Sequence, residues 1–217
     1  MAGLAEIDAL AARSALEVFG AFHPAPADGA PQGCATLVLL GPREPGFWPH
    51  VSAQPEFRDG APDPLDRWSA RVIGALADEI GATALFPFTG PPWPPFFDWA
   101  LRSGWAWASP VRLLVHAKAG LMASWRGALA LSERLELPAA PACPCDGCTG
   151  KPCLSACPAG ALGARGYDVP ACHDFLDTGA GAACLQGGCL VRTSCPVSRS
   201  YGRMPAQSAF HMAAFHR

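Results

Sequence analysis

The sequence predicts a mixed α+β protein in two parts: helices packed on one sheet, followed by a small unit organised by cysteines. Three observations predict this. Apolar runs of strand length alternate with amphipathic helical stretches through the N-terminal part of the chain. Cys34 stands alone there, whereas the rest of the 10 cysteines fall between Cys143 and Cys195. Between the two regions lies "LELPAAPAC", whose Pro138 and Pro141 deny the backbone a helix or a central strand and mark a linker. The expected division is 1–138, 139–200 and a tail, 201–217.

The opening segment, "MAGLAEIDALAARSALEVFG", carries Glu6 and Asp8 where a secretory signal needs a basic start and an unbroken apolar stretch. No later run approaches the roughly 18 apolar residues of a membrane span. A cytoplasmic location is therefore expected, with no membrane partner. Net charge is -2 and charged residues make up 16%, so no general electrostatic attraction draws the chain to nucleic acid or to an anionic surface. With 217 residues, half of them hydrophobic, the chain can build a core of about 140 residues and a satellite held by something besides apolar burial.

"CATLVLLGP" (34–42) is a continuous apolar run ended by Gly-Pro, the pattern of a strand buried on both faces. Cys34 is expected within that strand as an inert small hydrophobe. "DPLDRWSARVIGALADEIG" reads as a helix: Asp63 as cap, Pro64 in the first turn, Gly81 closing it in a left-handed conformation. Leu65, Trp68, Val72, Leu76 and Ile80 recur at three- and four-residue steps and are expected to face the core. "ATALFPF" reads as a second strand and "PFFDWALRSG" as a short helix ending at Gly104. "VRLLVH" and "ASWRGALAL" are two further strand-like segments of the first unit.

This unit has no Walker loop, no GxGxxG and no G-x-S-x-G, and so none of the short signatures of phosphate, dinucleotide or serine chemistry. In "FPFTGPPWPPFFDW" the prolines fix an extended path while Trp93, Phe96, Phe97 and Trp99 offer flat apolar surface. The ordinary role of such aromatics is to pin a loop to the core; the alternative is to wall a ligand pocket. His116, after a strand, is expected to be a hydrogen-bonded structural histidine, and His211 in the tail "AFHMAAFHR" a surface or capping one. That tail reads as a helix laying Phe210, Met212 and Phe215 on the body.

The cysteines are more specific. A reducing compartment argues against a disulfide framework and for ligation. From Cys145 the chain reads C-x2-C-x4-C-x3-C-P, close to the bacterial ferredoxin run except for Lys151 and Pro152 before the third cysteine. Cys172 follows, then C-x4-C-x5-C-P from Cys184 through Cys189 to Cys195. Leaving out Cys143, eight cysteines form two groups, each ending in Cys-Pro, and eight is what two four-iron clusters require. In two-cluster ferredoxins the cysteine before proline serves the other cluster. Cys145, Cys148, Cys153 and Cys195 are thus assigned to one 4Fe-4S cluster, and Cys157, Cys172, Cys184 and Cys189 to a second. Zinc is the alternative, since two four-cysteine sites would also use eight thiols, but zinc supplies no reason for two Cys-Pro endings.

The second half resembles the two-cluster ferredoxin module of epoxyqueuosine reductase. "DPLDRWSARVI" and "SWRGALAL" are similar to segments of CblC-type cobalamin-processing proteins, whose fold is related to the flavin nitroreductases. The chain as a whole, including "YGRMPAQSAFHMAAF", resembles a short bacterial family labelled as ferredoxin. The resemblance implies a nitroreductase-like open sheet with flanking helices, a bound cobalamin with flavin as the second choice, and clusters placed to reduce it. Both cysteine groups carry insertions relative to epoxyqueuosine reductase, and no acidic residue matches its proton donor, so the tRNA-modifying activity is not carried over. Two functions follow: an iron-sulfur reductase whose first domain binds a corrinoid or flavin, or a ferredoxin-type carrier whose first domain docks a redox partner protein.

Overall fold

A computed structural model describes residues 3–217. In chain order the elements are α1 (Leu4–Ala12), β1 (Leu16–Phe22), β2 (Thr36–Pro42), α2 (Phe47–Ser52), α3 (Pro64–Ile80), β3 (Thr83–Leu85), α4 (Phe96–Arg102), β4 (Ala106–Ala108), β5 (Leu114–His116) and β6 (Gly127–Leu131). There follow β7 (Leu162–Gly163), β8 (Gly166–Tyr167), α5 (Val169–Leu176), α6 (Ala182–Gly187), α7 (Leu190–Ser194), α8 (Pro196–Ser200) and α9 (Pro205–Phe215). The fold is mixed α+β with a small antiparallel sheet. Among the described residues no helix is long and apolar enough to cross a membrane.

The chain divides into two compact units, Met1–Trp105 with Ser124–Pro141, and Ala106–Ala123 with Ala142–Arg217. The first is built on a four-stranded antiparallel sheet of order β1-β2-β6-β3. β2 and β6 are the inner strands, and every residue of both is buried, which is why each reads as an uninterrupted apolar run. Leu37, Val38, Leu39 and Leu40 have no exposed surface at all. β1 carries a bulge between Val18 and Ala21. Its Gly20 sits at φ +122 with Ser103 Oγ 2.6 Å from where a Cβ would stand, so only glycine fits there.

α3 buries Leu65, Trp68, Ser69, Ile73, Leu76 and Ala77. The three- and four-residue period is present, but its lower half runs through Ile73 and Ala77; Val72 and Ile80 are only half-buried. Pro64 opens the helix, and Gly81 closes it at φ 69. Asp63 makes no side-chain capping bond and is itself left-handed, at φ 50. Ser69 explains the shifted face: its hydroxyl is buried and accepts from Arg126 Nε at 3.1 Å, while the same guanidinium pairs with Asp66. A buried arginine needs such partners, and they select the residues of α3 that turn inward.

The second unit contains the β4–β5 hairpin, and here the structure departs from the sequence reading. "VRLLVH" belongs to neither the large sheet nor the first unit: β5 pairs with β4, Trp107 opposite Val115. The reason is packing, because Val111, Val115 and Leu121 form one core with Cys153, Leu162 and Val191. The tail also joins this unit as α9.

Candidate metal centres

Cys145 and Cys148 lie in a turn where Asp146 N–H donates to Cys143 O at 3.1 Å and Cys148 N–H to Cys145 O at 3.4 Å. Cys153 is buried in the short helical turn Pro152–Leu154. Cys195 ends α7 and caps α8 in an extended conformation, with Pro196 as the first residue of α8. Pro196 lacks the N–H that α7 would need to continue, so the chain turns at the cysteine. Although the whole of 154–194 intervenes, Cys195 lines the same cavity as Cys145, Cys148 and Cys153, a space of about 330 Å³.

Burial pushes the Cys145 thiol up to about 12, and the neighbouring Cys143, Cys153 and Cys195 thiols add to the shift. Cys153 is raised by burial and then by Cys195. Thiols crowded in this way resist ionising together unless a cation takes up their charge, which ligated metal supplies as the protons leave. Cys143, left over by the sequence reading, hydrogen-bonds to Cys145.

The β4–β5 hairpin completes this cavity with Ser109, Val115 and Leu121. Beyond β5, Gly120 is held in a turn by reciprocal bonds with His116, both at 2.9 Å, and sits at φ +56. A Cβ there would stand 2.5 Å from Ser198 N and 3.0 Å from Cys195 Sγ, so the turn closes directly on Cys195. Leu121 N–H donates to Ser198 Oγ at 2.8 Å, and Leu121 O accepts from Arg192 Nη1 at 2.6 Å. Ser109 is 5% exposed, and its Oγ has no hydrogen-bond partner. A buried hydroxyl without an acceptor is costly, and one in a thiol-lined cavity fits a group rich in sulfur.

Cys157, Cys172, Cys184 and Cys189 are linked by electrostatics. Burial raises the Cys184 thiol within α6, and Cys189, Cys172 and Cys157 raise it further. Cys172 is placed by the start of α5, where the Asp168 carboxylate caps the helix by accepting from Ala171 N–H at 3.0 Å. Cys189 caps α7. The Tyr167 hydroxyl donates to Cys172 Sγ at 3.4 Å. α9 closes over this side: Phe215 stacks on Tyr167 at 6.1 Å and on His173 at 4.6 Å. His216 pairs with His173 at 2.8 Å and with Asp177 at 2.9 Å.

Among the described residues no three His, Cys, Asp or Glu side chains are grouped as ligands of one metal ion. Tetrahedral zinc, with Zn–S of about 2.3 Å, brings its four sulfurs within about 3.8 Å of one another. A four-iron cluster gives each thiolate its own iron and fills the space between them, so its ligands ring a volume and not a point.

Cys145, Cys148, Cys153 and Cys195 share one cavity, and Cys157, Cys172 and Cys189 act electrostatically on Cys184. The structure adds Ser109, Gly120, Leu121 and Tyr167, which carry no motif; only contact in three dimensions reveals them. His116 is fully buried, and its Nδ1 accepts from Lys118 and Ala119 N–H, a turn-holding role. Cys34 precedes β2 instead of lying in it, half-buried, its Sγ donating to Thr36 O at 3.3 Å. In the proline-aromatic stretch Phe96 and Trp99 are buried, Trp99 Nε1 donating to Asp28 O at 2.7 Å, whereas Trp93 and Phe97 are exposed. No protein-family model, curated protein or solved structure matches the chain.

Proposed function

We propose that this chain is an iron-sulfur electron-transfer protein carrying two 4Fe-4S clusters, one on Cys145, Cys148, Cys153 and Cys195, the other on Cys157, Cys172, Cys184 and Cys189. One observation supports the reading: Cys195 lines a single cavity with Cys145, Cys148 and Cys153, as an exchanged Cys-Pro ligand would, and Cys157 acts electrostatically on Cys184. Clusters so held supply one-electron transfer. The chain's own part is to gather the thiolates, to brace Cys195 through Gly120 and Ser198, and to offer the Ser109 hydroxyl as a donor to sulfur. Anaerobic protein should hold about eight irons and eight sulfides, with an absorption near roughly 400 nm that dithionite bleaches. Cys195→Ser should damage the cluster of Cys145, Cys148 and Cys153. Stoichiometric zinc without sulfide overturns the reading, and damage confined to the cluster of Cys184 and Cys189 overturns the assignment.

The electron acceptor is a narrower proposal: a corrinoid, with flavin second, bound by the nitroreductase-like first unit. It rests on the sequence resemblance and on the exposed rings of Trp93 and Phe97. Hydroxocobalamin titrated into the anaerobic protein should bind with at least roughly micromolar affinity, about −8 kcal/mol. If neither cobalamin nor flavin binds, the protein is a carrier that passes electrons to a redox partner protein.

A further inference from the structure

The two thiol groups differ in their polar surroundings. Tyr167 already donates its hydroxyl to Cys172 Sγ, at 3.4 Å. The hydroxyl is aimed by its local chain: Tyr167 ends the β7–β8 hairpin, and Asp168 turns the backbone straight into α5, folding Cys172 back beside the ring. Phe215 stacks on the ring, nearly parallel at 6.1 Å. Arg192 interacts electrostatically with both Cys189 and Tyr167 while its Nη1 is held by Leu121 O. At the other group the hydroxyl is Ser109, which has no partner within the protein.

We propose that Tyr167 is a positioning residue for redox, raising the reduction potential of the cluster held by Cys157, Cys172, Cys184 and Cys189 by its hydrogen bond to Cys172. This rests on the iron-sulfur reading above. The step is a one-electron reduction with the electron supplied by a low-potential one-electron donor; no bond forms or breaks and no proton moves. Reduction adds negative charge to the thiolate sulfurs, and a hydrogen bond to an acceptor strengthens as that acceptor gains charge. The Tyr167 bond and the Arg192 cation therefore favour the reduced form of this cluster.

The test is a redox titration of the full-length, cluster-loaded protein followed by electron paramagnetic resonance, with the second cluster identified by the signal that Cys172→Ser alters. Tyr167→Phe removes the hydroxyl and keeps the ring. It should lower the reduced-to-oxidised ratio of that cluster at fixed potential about three- to tenfold, tenfold being about 59 mV for one electron, and leave the other cluster in place. The chain has only 2 tyrosines, so 3-fluorotyrosine incorporated in a Tyr201→Phe background labels position 167 alone. Its more acidic hydroxyl is a stronger donor and should move the same potential upward, which keeps the test decisive if Tyr167→Phe does not fold. Unchanged potentials in loaded protein, or a shift confined to the other cluster, overturn the role of Tyr167 and leave the iron-sulfur reading standing. Protein without iron and sulfide overturns both.

Discussion

The sheet unit is held by side chains that water never reaches: Leu37 to Leu40 on β2, Ala128 and Leu129 on β6, and Trp68 and Ile73 on α3. Each such large side chain contributes about 1.5–3 kcal/mol. In the cysteine unit one core cluster joins Cys153 to Val111, Val115, Leu121, Leu162 and Val191, and Cys143, Cys145, Cys157, Cys189 and Cys195 are packed half-buried around it. One unit stores its stability in apolar burial; the other places candidate metal ligands where a small domain would otherwise need more hydrophobes. The difference teaches that the first should fold on its own chemistry, and that the second, on the iron-sulfur reading proposed above, should fold with its clusters.

The sharpest way to break this comparison is chelation, which would strip the clusters proposed for the second unit. Chelation of the oxidised protein should abolish hydrogen-exchange protection in 106–123 and 142–217 while the amides of β2 and β6 stay protected. Equal loss in both units would show that the distinction is false. Paired substitutions sharpen it next. Leu39→Ala should cost the sheet unit about 2–5 kcal/mol and leave iron content unchanged. Gly120→Val forces a side chain against Ser198 and Cys195 at a left-handed position, at about 1–3 kcal/mol, and should cost about four of eight irons. Iron analysis with thermal unfolding checks both.

The smallest expected effect concerns acid. Hydrogen bonds from Arg71, at 2.5 and 3.1 Å, hold the Glu56 carboxyl below its ordinary 4.5. The folded pKa is the lower one, so the stability it adds is complete above pH 4.5 and is lost as the pH falls through the folded value. Glu56→Gln should flatten that acid slope by less than about 1 kcal/mol, because Arg71 is half-exposed. An unchanged slope in thermal melts between pH 5 and roughly 3 would remove this pair from the account.

Local pattern made much of the first unit legible. A strand buried on both faces must be apolar throughout, and β2 is; a helix entered at proline and left at a left-handed glycine announces both ends, and α3 does. The exact buried face of α3 was not legible, because Ser69 turns inward only once Arg126, far along the chain, needs an acceptor. The proline-aromatic stretch divided for the same kind of reason: Trp99 is drawn in by Asp28 O, whereas Trp93 and Phe97 find no such anchor and stay exposed.

By itself the sequence determined that the chain has two chemically different parts, that eight cysteines fall into two groups ending in Cys-Pro, and where α3 begins and ends. Those properties are carried by neighbouring residues. Only the tertiary structure decided that 106–123 leaves the sheet unit for the cysteine unit, that Cys195 lines one cavity with Cys145, Cys148 and Cys153, and that Ser109 and Gly120 lie at that cavity and at Cys195. No local pattern encodes these, because each depends on which distant surfaces fill the same space, and that is settled by packing across the whole unit.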